Sequence, residues 1–174
     1  VACFAQARIS PTRSSAQFGL DQGQYILLTL HRAENTRDGQ RIATLLDFVR
    51  RQAAGRVIVF PVHPRTEAAL RAFGSSVEGV RLLPPQTYIE FQGLLSGAAE
   101  IMTDSGGVQK EAYFQRIPCT TLRDETEWTE TVDAGWNRLW NHPIYNTPRR
   151  EISDYGDGRA AEASIAAIAG LLGA

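Results

Sequence analysis

The sequence predicts an α/β protein in which one parallel sheet, doubly wound, carries helices on both faces. Three observations support this. Apolar runs of strand length alternate with segments of helical periodicity almost from end to end. The connections are short, and strands joined through helices pair in parallel. The first strand candidate, Tyr25-Ile-Leu-Leu-Thr-Leu30, is a nearly continuous apolar run, as expected of a strand covered on both sides.

The elements follow in order. After a polar loop, Ile42, Leu45, Leu46 and Val49 recur at helical spacing and turn one apolar stripe toward the sheet, with Arg41, Asp47, Arg50 and Arg51 mostly elsewhere. Gly55 breaks that helix, and Arg56 to Val62 reads as the second strand. Pro64 suits a first helical turn and opens a helix to Phe73 that Gly74 terminates. Val80 to Leu83 is a third strand, and a helix starting at Thr87 or the neighbouring turn runs through Phe91, Leu94 and Leu95. Glu100 to Asp104 is the fourth strand, followed at once by Ser105-Gly106-Gly107 and a helix to about Phe114. Ile117 to Leu122 is the fifth strand, Glu127 to about Ala134 another helix, and Trp136 to Trp140 a short sixth strand. Asn141 to Asp157, with Pro143, Pro148 and Gly156, reads as an exposed connection. Gly158 to Leu172, with Ile165, Ile168 and Leu172 on one face, is a closing helix.

Residues 1–20 are weakly patterned and read as a linker or the tail of a missing N-terminal domain, which leaves 21–174 as the folded domain. The chain opens on Val1 rather than Met, as expected of a piece of something longer.

Composition narrows the function. Of 174 residues, 43% are hydrophobic and 21% charged, so a packed core is expected. A net charge of −1 argues against a basic nucleic-acid binder. No run approaches the ~20 apolar residues that cross a bilayer, and no basic segment leads into an apolar one as in a secretory signal. Cys3 and Cys119 lie far apart and form no CxxC. They read as separate thiols in a reducing, cytoplasmic compartment.

In a doubly wound sheet, ligands sit beyond the carboxyl ends of the strands where the order reverses. With the order 3-2-1-4-5-6, that crevice lies between the first and fourth strands. His31-Arg-Ala-Glu-Asn35 follows the first and Asp104-Ser-Gly-Gly107 ends the fourth. Ser105, Gly106 and Gly107 entering a helix suit a phosphate, through close backbone N–H groups, a hydroxyl and the positive helix end. They equally suit an N-cap with a tight turn. Neither a P-loop nor a G-x-G-x-x-G pattern is present. Glu111, one turn on, is placed to accept from a ribose diol or to be an ordinary solvated glutamate. His31 is suited to donating to a phosphate, to proton transfer, or to a structural role at a strand end. His63 lies on the same edge, and His142 reads as exposed and idle. No histidine pair has i, i+4 metal spacing, so no metal site is expected. Gln86 and Phe91 flank the start of the third crossover helix, where an aromatic can face a nucleobase or the core. The polar run Arg123 to Glu130 lies on the same edge, with Thr126 and Thr129 or Glu130 resembling capping chemistry. Trp128, Trp136 and Trp140 read as packing residues.

Together these clusters resemble the non-hydrolysing UDP-N-acetylglucosamine 2-epimerases. The matching stretches are Thr29-Leu-His-Arg-Ala-Glu-Asn35, Pro61-Val-His-Pro64, Pro85-Gln-Thr-Tyr-Ile-Glu-Phe91, Thr103-Asp-Ser-Gly-Gly-Val-Gln-Lys-Glu-Ala112 and Leu122-Arg-Asp-Glu-Thr-Glu127. The resemblance runs in order from Tyr25 to the C-terminal helix. It implies a Rossmann-like domain like the C-terminal, nucleotide-holding half of a GT-B-type two-domain enzyme. It further implies that Ser105, Gly106 and Gly107 hold the diphosphate, Glu111 the ribose, and that Gln86 and Phe91 lie near the uracil. His31 matches a histidine that contacts the diphosphate and affects catalysis, and His63 one that meets a regulatory UDP-sugar in some bacterial members.

The implied chemistry interconverts UDP-GlcNAc and UDP-ManNAc, in cell-surface polysaccharide biosynthesis, by eliminating UDP to a 2-acetamidoglucal and re-adding it. It needs no cofactor. The carboxylates that move the C2 proton belong to the absent half, so binding of UDP without turnover is expected of this chain. The full-length protein is expected to be a homodimer, with no nucleic-acid or membrane partner. Many members carry arginine where Trp128 stands and glutamate where Lys110 stands. Two alternatives remain: the donor-binding domain of a GT-B glycosyltransferase, against which the His-Arg-x-Glu-Asn run argues, and a non-catalytic nucleotide-sugar module.

Overall fold

Apolar residues alternate in direction along β1 (Tyr25–Thr29) and divide the core in two. Ile26 and Leu28 enter one cluster, Tyr25 and Leu27 the other. In this computed structural model, which describes residues 15–156 and 159–172, β1 pairs in parallel with β2 (Val57–Pro61) on one side and β4 (Glu100–Thr103) on the other. The six strands, with β3 (Val80–Leu83), β5 (Cys119–Thr121) and β6 (Asn137–Leu139), lie in the order β3-β2-β1-β4-β5-β6. Every pairing is parallel. The order reverses between β1 and β4, as the sequence predicts.

Helix α1 (Ala33–Thr36) occupies what the sequence presents as a polar loop. Tertiary bonds to the fully buried Asn35 hold this single turn, and no apolar periodicity announces it. Helix α2 (Gly39–Ala53) starts before the expected apolar stripe because the Asp38 side chain accepts the Gln40 N–H at 2.9 Å. It covers one face of the sheet with α3 (Pro64–Ala72), through Ile42, Leu45, Leu46, Val49 and Leu70. Helix α4 (Tyr88–Gly97) starts where the capping box of Thr87 and Glu90 directs. With α5 (Gly106–Phe114) it covers the other face, through Leu94, Leu95 and Ala112. The result is the three-layer, doubly wound α/β architecture.

Leu20, in the stretch expected to be a linker, is buried in this second cluster, with Phe18 packed against it. The rest of that expectation, residues 1–14 with Cys3, lies outside the described residues. Cys119 is a buried free thiol.

Three expectations are corrected. Helix α6 (Thr129–Asp133) is shorter than predicted, with Trp128 at its N-cap and no side-chain cap. The Thr126 hydroxyl does not cap this helix from the N-cap position. It donates to Gln109 Oε1 at 2.6 Å and accepts the Trp128 N–H at 3.1 Å. Second, the connection after β6 is exposed at Ile144 (76%) yet tied down elsewhere. The Tyr145 hydroxyl donates to Glu100 at 2.8 Å, and Trp136 Nε1 donates to the Arg150 carbonyl at 2.9 Å. Third, α7 (Ala160–Leu172) leaves Ile165 and Ile168 exposed, so this face is not packed on the described core.

Candidate functional site at the carboxyl edge of β1 and β4

The end of β4 is polar and closed. Thr29 and Thr103 are register partners whose hydroxyls lie 2.5 Å apart, and Thr103 Oγ1 accepts the Ser105 N–H at 2.9 Å. Next in sequence, Asp104 is fully buried. Its carboxylate accepts the main-chain N–H groups of His31 (3.0 Å) and Arg32 (2.8 Å), and the side-chain amide of Asn35 (3.1 Å). His31 Nδ1 stands 3.1 Å away. Burial works against the Asp104 charge, but the bonds from His31, Arg32 and Asn35 and the charge of His31 outweigh it and hold the carboxyl below the usual range. The same bond to Asp104 raises His31, against the opposing effect of partial burial. Asp104 therefore orients the ring through Nδ1 and favours imidazolium, with half the side chain still exposed.

Ser105 is the N-cap of α5 but makes no side-chain cap bond. Ser105 also lines a cleft of about 400 Å³, whose lining includes neither Gly106, Gly107 nor Glu111. His31, His63, Phe91 and Ser105 all line it. Phe91 also packs against the second core cluster, as the core reading of this residue expects. His63 caps α3, its Nδ1 accepting the Arg65 N–H at 3.2 Å. A larger hollow of about 790 Å³ lies at the opposite edge, beside Val57 and Val80 at the amino ends of β2 and β3. A parallel sheet binds ligands at the other end.

The two glycines differ. A Cβ on Gly106 would fall 2.3 Å from Glu127 Oε1 and 3.1 Å from Trp128 Nε1, whereas on Gly107 the nearest atom is Ser105 Oγ at 3.9 Å. Gly106 is therefore small for internal packing, and Gly107 leaves the approach to the helix end open. Glu127 is in turn paired with Arg123 at 2.6 Å and Arg32 at 3.8 Å.

One turn along α5, Glu111 is half-buried and accepts from Gln92 Nε2 at 2.7 Å. Burial raises its pKa, partly offset by the bonds from Gln92 and Tyr88. It is thus a held acceptor rather than a solvated glutamate. Gln86 does not join the cleft, because its amide folds back onto the Pro84 carbonyl at 2.7 Å. Asp104, Asn35, Gln92 and Tyr88 hold His31 and Glu111 in place, and the sequence assigns none of them that role. A carboxylate directly after a buried strand is the one signal the sequence carries for Asp104.

The two departures from the resembled pattern touch each other. Lys110 Nζ lies 3.8 Å from the Trp128 ring centroid and 4.8 Å from that of Tyr155. Among the described residues no cluster of His, Cys, Asp and Glu is arranged to hold a metal, and no helix is long and apolar enough to cross a membrane.

Residues 3–169 match the family model described as UDP-N-acetylglucosamine 2-epimerase. The chain belongs to this family. Within it, the chain is 42% identical over 155 residues to the UDP-N-acetylglucosamine 2-epimerase of Methanocaldococcus jannaschii, covering 79% of this chain and 42% of that protein. It is also 42% identical over 137 residues to the UDP-2,3-diacetamido-2,3-dideoxy-D-glucuronate 2-epimerase of Pseudomonas aeruginosa, covering 78% of this chain and 37% of that one. The solved structure of the M. jannaschii epimerase in complex with UDP-GlcNAc and UDP superposes with a TM-score of 0.77 at 32% identity, over 95% of this chain and 49% of that one. The chain thus spans about two fifths of the length of these curated relatives.

Proposed function

We propose that this chain is the nucleotide-holding half of a UDP-GlcNAc 2-epimerase. The observation that carries this reading is the Asp104 clamp, which holds the His31 ring through Nδ1 on the cleft that Ser105, the N-cap of α5, also lines. In this reading residues 21–174 form the nucleotide domain, and the catalytic carboxylates come from the other half.

The chemistry follows from charge. A base in the other half takes the C2 proton, the electron pair forms the C1=C2 bond of the glucal, and the C1–O bond to the diphosphate breaks. Negative charge grows on the departing oxygen. His31, the Ser105 hydroxyl and the N–H groups at Gly106 and Gly107 are preorganised to receive it, which is how a polar site lowers such a barrier. In the return step the diphosphate oxygen re-forms its bond to C1 while a proton is delivered to the opposite face of C2, which inverts that centre. Glu111, held by Gln92, takes the ribose hydroxyls, and Phe91 with Gln86 lies toward the uracil. Gln86 reaches it only by leaving the Pro84 carbonyl. His63, which also lines the cleft, is the candidate contact for a second UDP-sugar.

The sugar has a second reading. Identity to the P. aeruginosa diacetamido-glucuronate epimerase equals that to the GlcNAc enzyme, so a modified 2-acetamido sugar is the alternative substrate. The rest of the proposal is a cytoplasmic homodimeric parent serving cell-surface polysaccharide synthesis, with this half binding UDP but inactive alone.

The test is an NMR titration of this chain with UDP and then UDP-GlcNAc. Shifts centred on Gly107, Ser105, His31 and Glu111 are the expected result. Silence at these residues up to several millimolar would remove the site. Epimerisation of both sugars by the full-length parent would then separate the substrates.

A further inference from the structure

Helices α4 and α5 meet through two side-chain pairs of helical spacing. Tyr88 and Gln92 lie one turn apart on α4, and Glu111 and Gln115 one turn apart at the end of α5, so each pair shares a helix face. Between them runs a chain of bonds with a direction. Gln115 Nε2 donates to Gln92 Oε1 at 2.6 Å, and Gln92 Nε2 donates to Glu111 Oε2 at 2.7 Å. The Tyr88 hydroxyl bonds to the same carboxylate. Gln92 is 1% exposed, whereas Gln115 is half-buried, with its main-chain N–H on the Glu111 carbonyl at 3.1 Å.

The two ends of an amide differ, so this chain is polar as well as connected. An ionised carboxylate only accepts, and it requires the N–H end of Gln92. Gln92 Oε1 must then point to position 115, where a donor satisfies it. An acceptor at 115 would compete for the N–H end and draw the amide round. The Gln92 carbonyl oxygen would then face the Glu111 carboxylate in a half-buried site, where like polarity is costly. The group at position 115 thus sets how the Glu111 carboxylate is held.

That hold decides what Glu111 can recognise. A carboxylate has roughly four lone-pair sites. Gln92 and Tyr88 engage it from α4, which fixes its plane and leaves capacity for a vicinal pair of hydroxyls. We propose that Gln92 and Gln115 are positioning residues whose bond direction lets Glu111 distinguish a ribose nucleotide from its 2′-deoxy counterpart. The proposal deepens, and rests on, the reading of Glu111 as the ribose acceptor.

The experiment is an NMR titration of this chain and its variants with UDP and with 2′-deoxy-UDP, read as the ratio of the two dissociation constants. The parent sequence is expected to favour UDP about tenfold, the value of one hydrogen bond to a charged group. Glu111→Ala should abolish this preference, and Gln92→Leu should reduce it below about threefold. Position 115 carries the decisive contrast. Gln115→Met removes the donor without supplying an acceptor and should keep most of the preference. Gln115→Glu supplies an acceptor and should lose it. Both delete the same bond, so a merely structural role would move them alike, and a charge at 115 acts on both nucleotides equally. Should Gln92→Leu not fold, the pair at 115 decides alone. If Gln115→Glu and Gln115→Met give the same ratio, or a folded Gln92→Leu keeps the parent ratio, the proposal is overturned while Glu111→Ala still reports the ribose contact. If the parent binds neither nucleotide up to several millimolar, shows no preference, or keeps its preference in Glu111→Ala, the ribose reading itself fails and takes the proposal with it.

Discussion

Asp104 holds His31 at two points: its carboxylate accepts the His31 main-chain N–H at 3.0 Å and faces Nδ1 of the same residue at 3.1 Å. Backbone and ring are therefore fixed by one buried group from the neighbouring strand. The carboxylate that sets the state of the imidazole also stitches β4 to the loop after β1. Chemistry and fold share a residue here, and the two roles can be separated by measurement.

Asp104→Asn retains the shape but removes the charge and replaces one acceptor oxygen with an N–H donor. The His31 imidazole, followed by NMR, is expected to titrate at lower pH than in the parent. Stability in a urea melt should fall by about 2 kcal/mol or more, because buried N–H groups of His31 and Arg32 lose an acceptor. An unmoved His31 titration would show that Asp104 does not control it.

The sign of the pH dependence follows from the two shifts. His31 is raised in the folded state, so its contribution is full below the ordinary histidine value of about 6.5 and disappears as pH rises through the folded value. Asp104 is lowered, so its contribution is full above about 3.9 and disappears as pH falls through the folded value. The pair stabilises most between those limits. Because the His31 side chain is 52% exposed, its share is expected to stay below about 1 kcal/mol. Denaturant melts from pH 4 to 9 should show the loss on the alkaline side, and His31→Phe should flatten it.

Gly106→Ala and Gly107→Ala should differ in sign. At 106 the new methyl meets Glu127 Oε1 at 2.3 Å and Trp128 Nε1 at 3.1 Å. Glu127 can swing aside, but the indole must shift, for a loss of about 1 kcal/mol. At 107 the methyl meets only Ser105 Oγ at 3.9 Å, and alanine in a helix gains up to about 1 kcal/mol over glycine. That same methyl stands on the open approach to the helix end, so UDP affinity should fall while the melting temperature rises. Calorimetry on both variants checks the pair.

The architecture was legible because the signals behind it are local. The apolar run of β1, Pro64 at the start of α3 and the Thr87–Glu90 box each act within one element. His31, His63 and Ser105 share one edge because strand ends place them there, and Phe91 joins them from the first turn of α4. What escaped reading depends on partners distant in sequence. Asn35 is buried through Asp104 and Leu122, 69 and 87 residues away, and no spacing in the polar loop encodes that. Gln86 is placed beside the helix start, but a bond to its own loop turns it from the cleft.

Ser105→Ala and Glu111→Ala test the two ends of the proposed nucleotide site independently. Each removes a polar group that the proposal assigns to the ligand, and each is expected to weaken UDP by about 1 kcal/mol or more. Glu111→Ala also strands the amide of Gln92, which is 1% exposed, so it should lower stability where Ser105→Ala does not. Uridine binding separates them further, falling for Glu111→Ala alone.

The last relationship concerns the fold beneath the site. A Cβ on Gly97 would lie 2.7 Å from the Tyr25 hydroxyl, but the next atom of that ring is 3.6 Å away. The Tyr25 hydroxyl is buried between β1 and α4 and donates to the Leu94 carbonyl, and burial drives its pKa far upward. Gly97→Ala alone should therefore be destabilising, by about 1–3 kcal/mol for a methyl forced into a packed site. Tyr25→Phe alone should lose about 1 kcal/mol with its hydrogen bond. Because removing the hydroxyl also clears the space, the double variant should be more stable than the sum of the two losses requires. Urea melts of the four proteins give the coupling. Strict additivity would mean that something other than the tyrosine hydroxyl requires glycine at position 97.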